Sequence, residues 1–181
     1  ENYIGMSGGD VFFNPTFGTA SVFEAAATKF TSIAFDSNSN KVVIAYQDDA
    51  NSDYGTAIVG TVDASNNSIT YGSPTVFESA RCDFVRVTFD SNSNKVVIVY
   101  QDNGNDLSGT AIVGTVSGTS ISFGSAAVFE AGNTKDISTC FDSNSNKVVI
   151  AYSDGNASSS GKSVVATVSG TSISFGTVVT F

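Results

Sequence analysis

The chain is organised by short apolar runs that recur in a fixed order. The run KVVIAY begins at Lys41, KVVIVY begins at Lys95, and KVVIAY returns at Lys147. Runs rich in Val, Ile, Thr and Tyr, bounded by clusters of Gly, Asn, Asp and Ser, are typical of β-strands and tight turns. The pattern therefore predicts an all-β protein.

The runs belong to a threefold internal repeat. The decapeptide FDSNSNKVVI is spelled identically from Phe35, Phe89 and Phe141, and each copy is followed by two further strand-like runs. Short polar connections between consecutive runs predict a four-stranded antiparallel meander of about 52 residues in each unit. The units are residues 24–77, 78–129 and 130–181.

The second strand of each unit is apolar on both faces. In the first unit, Val42, Ile44 and Tyr46 point to one side and Val43 and Ala45 to the other. Such strands are covered on both sides, and small residues in the third strand, Gly60, Gly114 and Ala166, are expected where a neighbouring sheet presses closest. Sheets packed face to face in this way predict a β-propeller with three blades. A three-repeat β-trefoil or β-prism is the alternative.

Residues 1–23 precede the first unit and contain a fourth trace of the repeat. FGTASVF (17–23) aligns with YGSPTVF (71–77) and FGSAAVF (123–129), which predicts the outer strand of an incomplete fourth blade. The opening Glu1 is expected for a processed product or part of a longer chain. Three blades leave two apolar faces uncovered, so the predicted partner is another copy in a head-to-tail homo-oligomer, or further blades.

Charge and cysteine content narrow the class of function. Eight basic and 17 acidic residues give a net charge of −9, which disfavours nucleic-acid and membrane-surface roles, and no apolar run is long enough for membrane insertion. Cys82 and Cys140 occupy different places in the repeat, so no disulfide framework is predicted. Cys140 takes the slot of Ala34 and Thr88, where a small buried residue is expected.

The repeated FDSNSNK stretch resembles the start of a calcium loop. It places Asp and Asn at alternating positions, but Lys41, Lys95 and Lys147 stand where that loop needs glycine. Asx turns closing a β-hairpin explain the same residues, and we prefer that interpretation. A weak calcium site remains the alternative, with the candidate ligands Asp36, Asn38, Asn40, Asp90, Asn92, Asn94, Asp142, Asn144 and Asn146.

Candidate chemistry is confined to carboxylates, because the chain contains no histidine. In a meander, the connections between units share one rim with the connections between the second and third strands. An acidic rim is expected there, and its candidate ligand-binding residues are Glu24, Glu78, Glu130, Asp48, Asp102 and Asp154. Because these acids recur in every unit, structural hydrogen bonds or one shallow ligand site per blade explain them better than a glycosidase pair.

Arg86 departs from the repeat and is a further candidate ligand-binding residue. Ser32 and Ser138 hold its slot in the predicted innermost strand. Its simplest role is to pair with a nearby acid such as Asp83. No catalytic residue and no cofactor are predicted.

The repeat FDSNSNKVVIAYQD…YGTAIVGTVSGTSISFGS resembles the tandem blades of β-propeller regions in phage and marine viral tail-fibre and virion-surface proteins. The opening ENYIGMSGGD is similar to a short segment that borders such arrays. The resemblance implies a non-enzymatic surface module, either a receptor-binding or a spacer part of a fibre, located outside cells or on a virion. Its receptor would be a cell-surface glycan or protein. A glycan-binding propeller lectin is the alternative, and a carbohydrate-active enzyme is less favoured.

Overall fold

The computed structural model describes residues 17–181, which form antiparallel β-sheet and, over that range, no α-helix. The prediction of an all-β protein is confirmed. This described part contains no helix with the length and apolar character needed to cross a membrane. The strands are β1 Thr28–Asp36, β2 Lys41–Asp48, β3 Tyr54–Asp63, β4 Ser68–Tyr71, β5 Thr75–Asp90, β6 Lys95–Asp102, β7 Ser108–Ser117, β8 Ser120–Phe123, β9 Ala127–Glu130, β10 Thr134–Asp142, β11 Lys147–Asp154, β12 Ser160–Ser169, β13 Ser172–Phe175 and β14 Val179–Thr180.

The strands of each unit pair antiparallel in chain order. In the first unit β1 pairs with β2 and β2 with β3, while β4 and the first part of β5 both pair with β3. The single fourth run expected from the sequence is therefore two short strands in the first unit. The same split gives β8 and β9 in the second unit, and β13 and β14 in the third.

Strand β5 joins the first two units without a break. Its first part completes the sheet of the first unit, and its second part pairs with β6 as the first strand of the second unit. Between the second and third units the chain instead breaks between Glu130 and Thr134, where Gly132 has a φ of 84°. The result is one nine-stranded sheet and one five-stranded sheet.

Consecutive units pack through one face of small residues and one face of large residues. The first unit contributes Val43, Ala45, Ala57 and Val59, all fully buried, against Val96, Ile98, Tyr100, Ile112 and Ile121 of the second unit. The second unit contributes Val97, Val99, Ala111 and Val113 against Val148, Ile150, Tyr152, Val164 and Ile173 of the third. These junctions cover β6 and β7 of the second unit on both faces, whereas the small-residue face of the third unit is open.

The first strands of the first two units lie side by side. The backbone N–H of Val87 in β5 donates to the Ser32 hydroxyl of β1 at 3.1 Å, and the rings of Phe30 and Phe84 lie 5.3 Å apart. Both phenylalanines have a φ near 50°, at bulges where β1 slips against β2 and β5 slips against β6. Asp136 occupies the same bulge in β10. A bulge bends its strand and redirects side chains, and here it turns aromatic rings toward a neighbouring unit.

A buried glutamine crosses each junction. Gln47 Nε2 donates to the carbonyl of Cys82 at 2.8 Å and to Asp83 Oδ1 at 2.9 Å, both in the second unit. Gln101 Nε2 donates in the same way to the carbonyl of Thr134 in the third unit. Ser153 holds this position in the third unit. The glutamine side chains therefore fix the relative position of adjacent units.

Glycine is required where the fourth strand of one unit passes a loop of the next. A Cβ built on Gly72 would overlap the backbone carbonyl of Thr119, and a Cβ built on Gly124 would overlap that of Thr171.

The third-strand glycines have a different role from the one predicted. The nearest atoms to a Cβ at Gly114 belong to Ile121 and Phe123 of its own unit, so Gly114 makes room for β8 rather than for a neighbouring sheet.

Two predictions are wrong. Residues 17–23 form no strand, because the described part of the chain offers no third strand of a preceding unit for them to pair with. Their aromatic residue nevertheless packs on the first unit, since Phe23 lies 5.2 Å from Tyr46.

Cys140 is exposed rather than buried, because its slot faces outward in the third unit. The opening ENYIGMSGGD lies outside the described residues.

We predict that Gly72→Ala and Gly124→Ala each destabilise the protein by about 1 to 3 kcal/mol, because the added methyl group meets a backbone carbonyl that no rotamer change can move. Gly176→Ala is the matched control. A Cβ there meets only the carbonyl of Val165, at an ordinary 3.5 Å. Urea denaturation of the three variants measures the difference, and equal stability of all three would contradict the close approach of the units.

Candidate functional site

The predicted acidic residues lie along one rim of the molecule, where two sets of loops meet. In every unit the same backbone hydrogen bond joins the turn after the second strand to the residue just before the first and second strands begin to pair. That residue lies in a loop in the first and third units and within β5 in the second. Asp49 N–H donates to Ala27 at 3.2 Å, Asn103 N–H to Arg81 at 3.0 Å, and Gly155 N–H to Asn133 at 2.7 Å. We use the name acidic rim for this edge and its carboxylates, Glu24, Glu78, Glu130, Asp48, Asp102 and Asp154.

Two glutamates of the acidic rim accept hydrogen bonds from a tyrosine near the end of the second strand. The Tyr100 hydroxyl donates to Glu78 Oε2 at 3.2 Å, and the Tyr152 hydroxyl donates to Glu130 Oε2 at 2.6 Å. In the first unit the Glu24 carboxylate accepts from the backbone N–H of Ala26 at 2.9 Å. The hydroxyl of Tyr46 is buried there without a hydrogen-bond partner among residues 17–181.

The environment of these tyrosines disfavours the phenolate. Burial, and then the negative charge of Glu78, raises the pKa of the Tyr100 hydroxyl far above its ordinary value. Burial also raises the pKa of Tyr152, and the hydrogen bond to Glu130 adds to this effect. Burial and the charges of Glu24 and Asp48 do the same for Tyr46. All three hydroxyls therefore stay protonated, and those of Tyr100 and Tyr152 act as hydrogen-bond donors to the rim.

The aspartates of the acidic rim cap the turns that follow the second strands. Asp48 Oδ1 accepts from the N–H groups of Ala50 and Asn51, at 3.1 and 3.2 Å, and caps the 3-10 turn Asp49–Asn51. Asp102 accepts from Gly104 N–H and Asp154 from Asn156 N–H, each at 2.9 Å. An aspartate at this place satisfies backbone donors that the turn would otherwise leave without a partner.

The third unit carries a cation that the sequence analysis missed. Lys162 Nζ lies 2.6 Å from Asp154 Oδ2 and 3.2 Å from Glu130 Oε2. Its hydrogen bond lowers the pKa of Asp154, and the two carboxylates raise the pKa of Lys162. Thr56 and Thr110 hold this slot in the other units. The signal was present in the sequence, since GKSVVATV breaks the pattern of GTAIVGTV.

Arg86 does not pair with Asp83, and that interpretation is wrong. Asp83 Oδ1 instead lies 3.1 Å from Nε of Arg81 and accepts from Gln47, while its Oδ2 accepts from Asn103 at 3.2 Å. Arg86 donates to the carbonyl of its neighbour Val85 at 2.8 Å. The bulge at Phe84 separates Asp83 from Arg86 along the strand.

The candidate calcium residues form the turns at the opposite end of the strands. Asp36 Oδ1 accepts from the N–H groups of Asn38 and Ser39, at 2.9 and 3.0 Å, and the turns led by Asp90 and Asp142 repeat these bonds. Asn40, Asn94 and Asn146 all have φ near 55°, the left-handed conformation that asparagine tolerates. Asx turns therefore account for the repeated Asp and Asn residues.

The described residues contain no group of three or more acidic or cysteine side chains placed to hold a metal ion. At the acidic rim, carboxylates accept from tyrosine hydroxyls, backbone N–H groups and one lysine. An acid and base pair for glycoside hydrolysis needs two carboxylates facing a common substrate. The contacts seen here instead tie the loops to the strands that carry them.

Comparison of the chain with protein-family models, with curated proteins and with solved structures finds no match.

We predict that Lys162→Met lowers stability mainly at neutral pH. Asp154 has a lowered pKa in the folded state, so its pairing stabilises the fold fully above its unfolded pKa of about 3.9 and loses this effect as the pH falls through the folded value. The difference in free energy of unfolding between wild type and variant should therefore shrink from pH 7 to pH 3. Lys135→Met is the control, since Lys135 has no ion pair in the described structure. A difference that does not change with pH would contradict this role of the pair.

Proposed function

We propose that the three units are blades of a β-propeller and that the chain is a non-enzymatic surface module, a receptor-binding or spacer part of a fibre or particle-surface assembly. The propeller is favoured by the face-to-face packing of consecutive units and by the adjacent first strands, joined between Ser32 and Val87. A β-trefoil or β-prism would leave more strands with one face in water.

The observation that carries the non-enzymatic proposal is the structural use of the acidic rim in each unit. Glu78 and Glu130 accept from a tyrosine of the second strand, and Asp48, Asp102 and Asp154 cap equivalent turns. A catalytic centre normally differs from the repeat that carries it, because only one unit needs the reactive groups. Here the turn-capping aspartate recurs in all three units and the glutamate–tyrosine hydrogen bond in two, which favours a rigid scaffold that presents a similar rim several times.

The proposed location is the outside of a cell or a virion surface, and the proposed receptor is a cell-surface glycan or protein. The sequence resemblance to viral fibre repeats supports this location. The composition agrees with it, since a net charge of −9 makes nucleic acid an unfavourable partner. The role requires no cofactor.

A glycan-binding lectin is the alternative, because repetition of one rim would give several equivalent sites. Aromatic platforms for sugar stacking are few at this rim. Tyr54 is half-buried in the first unit, and Ser108 and Ser160 stand at its place in the others.

A broad glycan array tests the two roles directly. We expect no saturable binding, because the rim carboxylates are occupied by contacts within the protein. Binding that is lost in Arg86→Ala but kept in Lys135→Met would favour the lectin. In a parallel assay, hydrolysis of a chromogenic glycoside that is lost in Glu78→Gln would show an enzyme instead.

A further inference from the structure

Four segments of the chain share one sequence pattern, and three of them pack on a unit in the same way. Phe77 of YGSPTVF (71–77) lies 5.2 Å from Tyr100 and 5.9 Å from Phe123 of the second unit. The same two contacts recur for Phe129 on the third unit, with Tyr152 and Phe175, and for Phe23 on the first unit, with Tyr46 and Tyr71. Residues 17–23 therefore occupy on the first unit the position that the end of a preceding unit would take.

The glycines of these segments confirm the equivalence. A Cβ on Gly18 would overlap the backbone carbonyl of Asn67, just as a Cβ on Gly72 would overlap that of Thr119. Asn67 and Thr119 each immediately precede the short strand that begins the fourth run of their unit. Both the aromatic ring and the close backbone approach are thus reproduced by residues 17–23.

The fourth segment, FGTVVTF (175–181), has no unit to pack on within the described chain. Phe181 is 80% exposed, whereas Phe77 and Phe129 are 8% and 7% exposed. Beside it, Val165 is 47% exposed, although its equivalents Val59 and Val113 are fully buried. The third unit therefore presents to solvent the small-residue face that the first two units bury in their junctions.

The first unit carries the complementary face, and the centre of this face is covered. Ile44, Tyr46 and Ile58 are 5%, 0% and 2% exposed, with Phe23 and Tyr71 packed against them. The edge of the face is exposed. Ile33 is 59% exposed, whereas its equivalent Val87 is 7% exposed and lies in the junction between the first two units. Phe35 is also exposed, and its equivalent Phe89 packs against that junction. Both halves of a junction are thus present on one chain, at opposite ends of the stack.

We propose that the third unit of one copy docks on the first unit of a second copy, with residues 175–181 of the first copy replacing residues 17–23 of the second. Because the contact reproduces the two internal junctions, equivalent residues are expected to meet in it. Phe181 takes the place of Phe23 beside Tyr46 and Tyr71, and Gly176 takes the place of Gly18 against Asn67. This proposal does not depend on the surface role proposed above.

Two features set the strength of this contact. Residues 17–23 belong to the same chain as the first unit, so they compete at a high effective concentration, on the order of millimolar for a short tether. Ser153 replaces the glutamine that crosses each internal junction, so the intermolecular contact also lacks one buried hydrogen bond. Association of the wild type is therefore weak, and residues 17–23 act as an internal competitor.

Light scattering over a range of protein concentrations tests the competition. Phe23→Ala weakens the internal competitor, so we expect association to strengthen by at least about tenfold, equivalent to about 1.4 kcal/mol. Adding Gly176→Ala should abolish the gain, because the new methyl group meets Asn67 of the second copy while its own unit has room for it. If Phe23→Ala lowers the circular dichroism of the fold, Gly18→Ala displaces the same segment and replaces it in the experiment. The proposal is overturned if the variant with the weakened competitor, Phe23→Ala or Gly18→Ala, does not associate, or if association survives the addition of Gly176→Ala.

Mixing two blocked variants tests the head-to-tail direction. We call the small-residue face of the third unit, which includes Val165, the donor face, and the face of the first unit that includes Ile33 the acceptor face. In the Phe23→Ala background, Val165→Asp blocks the donor face and Ile33→Asp blocks the acceptor face, and both positions are exposed in the single copy. Each variant alone should remain at the 18.6 kDa mass of one chain. An equimolar mixture should form a dimer limited to two chains, because one intact face of each kind remains. Association of either variant by itself, or none in the mixture, overturns the head-to-tail contact.

The alkylation rates of the two cysteines show whether the donor face becomes buried on association. Cys140 is exposed and lies beside Val149 on the donor face, whereas Cys82 is buried. In the Phe23→Ala variant, alkylation of Cys140 by a maleimide should slow as association proceeds, while Cys82 stays unreactive. An unchanged rate at Cys140 in the associated species places the contact elsewhere and overturns the proposal.

Discussion

The fold depends on apolar burial between the sheets of consecutive units. Each junction sets a face of valine and alanine against a face of isoleucine, tyrosine and phenylalanine, so that small residues on one unit make room for large ones on the next. Close packing of the units also requires particular residues at two kinds of position. Gly72 and Gly124 must be glycine because a strand passes close to a neighbouring loop there. The buried side-chain amides of Gln47 and Gln101 fix the relative position of the units.

The polar residues follow from the same constraint. Loops that connect covered strands gather at the ends of the stack, and their backbone donors need partners there. Aspartates cap the turns at both ends, and glutamates accept from the tyrosines of the second strands at one end. The rim is acidic because these structural roles are filled by carboxylates in every unit. This use of the carboxylates is the main support for the scaffold role that we propose for the chain.

The sequence was sufficient to predict the elements that depend on local pattern. The strand runs, the DSNSN turns and the two-sided burial of KVVIAY can be read from alternation and turn residues. Positions that depend on a neighbouring unit could not be read in this way. Cys140 has the pattern of a buried residue, and only the uncovered face of the third unit exposes it. Arg81 rather than Arg86 pairs with Asp83 because a bulge redirects the strand. Residues 17–23 keep the contacts of an outer strand but have no partner strand among residues 17–181.

Burial on both faces, rather than strand sequence, sets the local stability of each central strand. Amide hydrogen exchange measured by mass spectrometry at low protein concentration tests it directly, because KVVI occurs in β2, β6 and β11 and its amides have closely similar intrinsic exchange rates. We expect the slowest exchange in β6, which has a unit on each side, and faster exchange in β11, whose small-residue face is open. Equal protection in the three strands, or least protection in β6, would contradict the stacked arrangement.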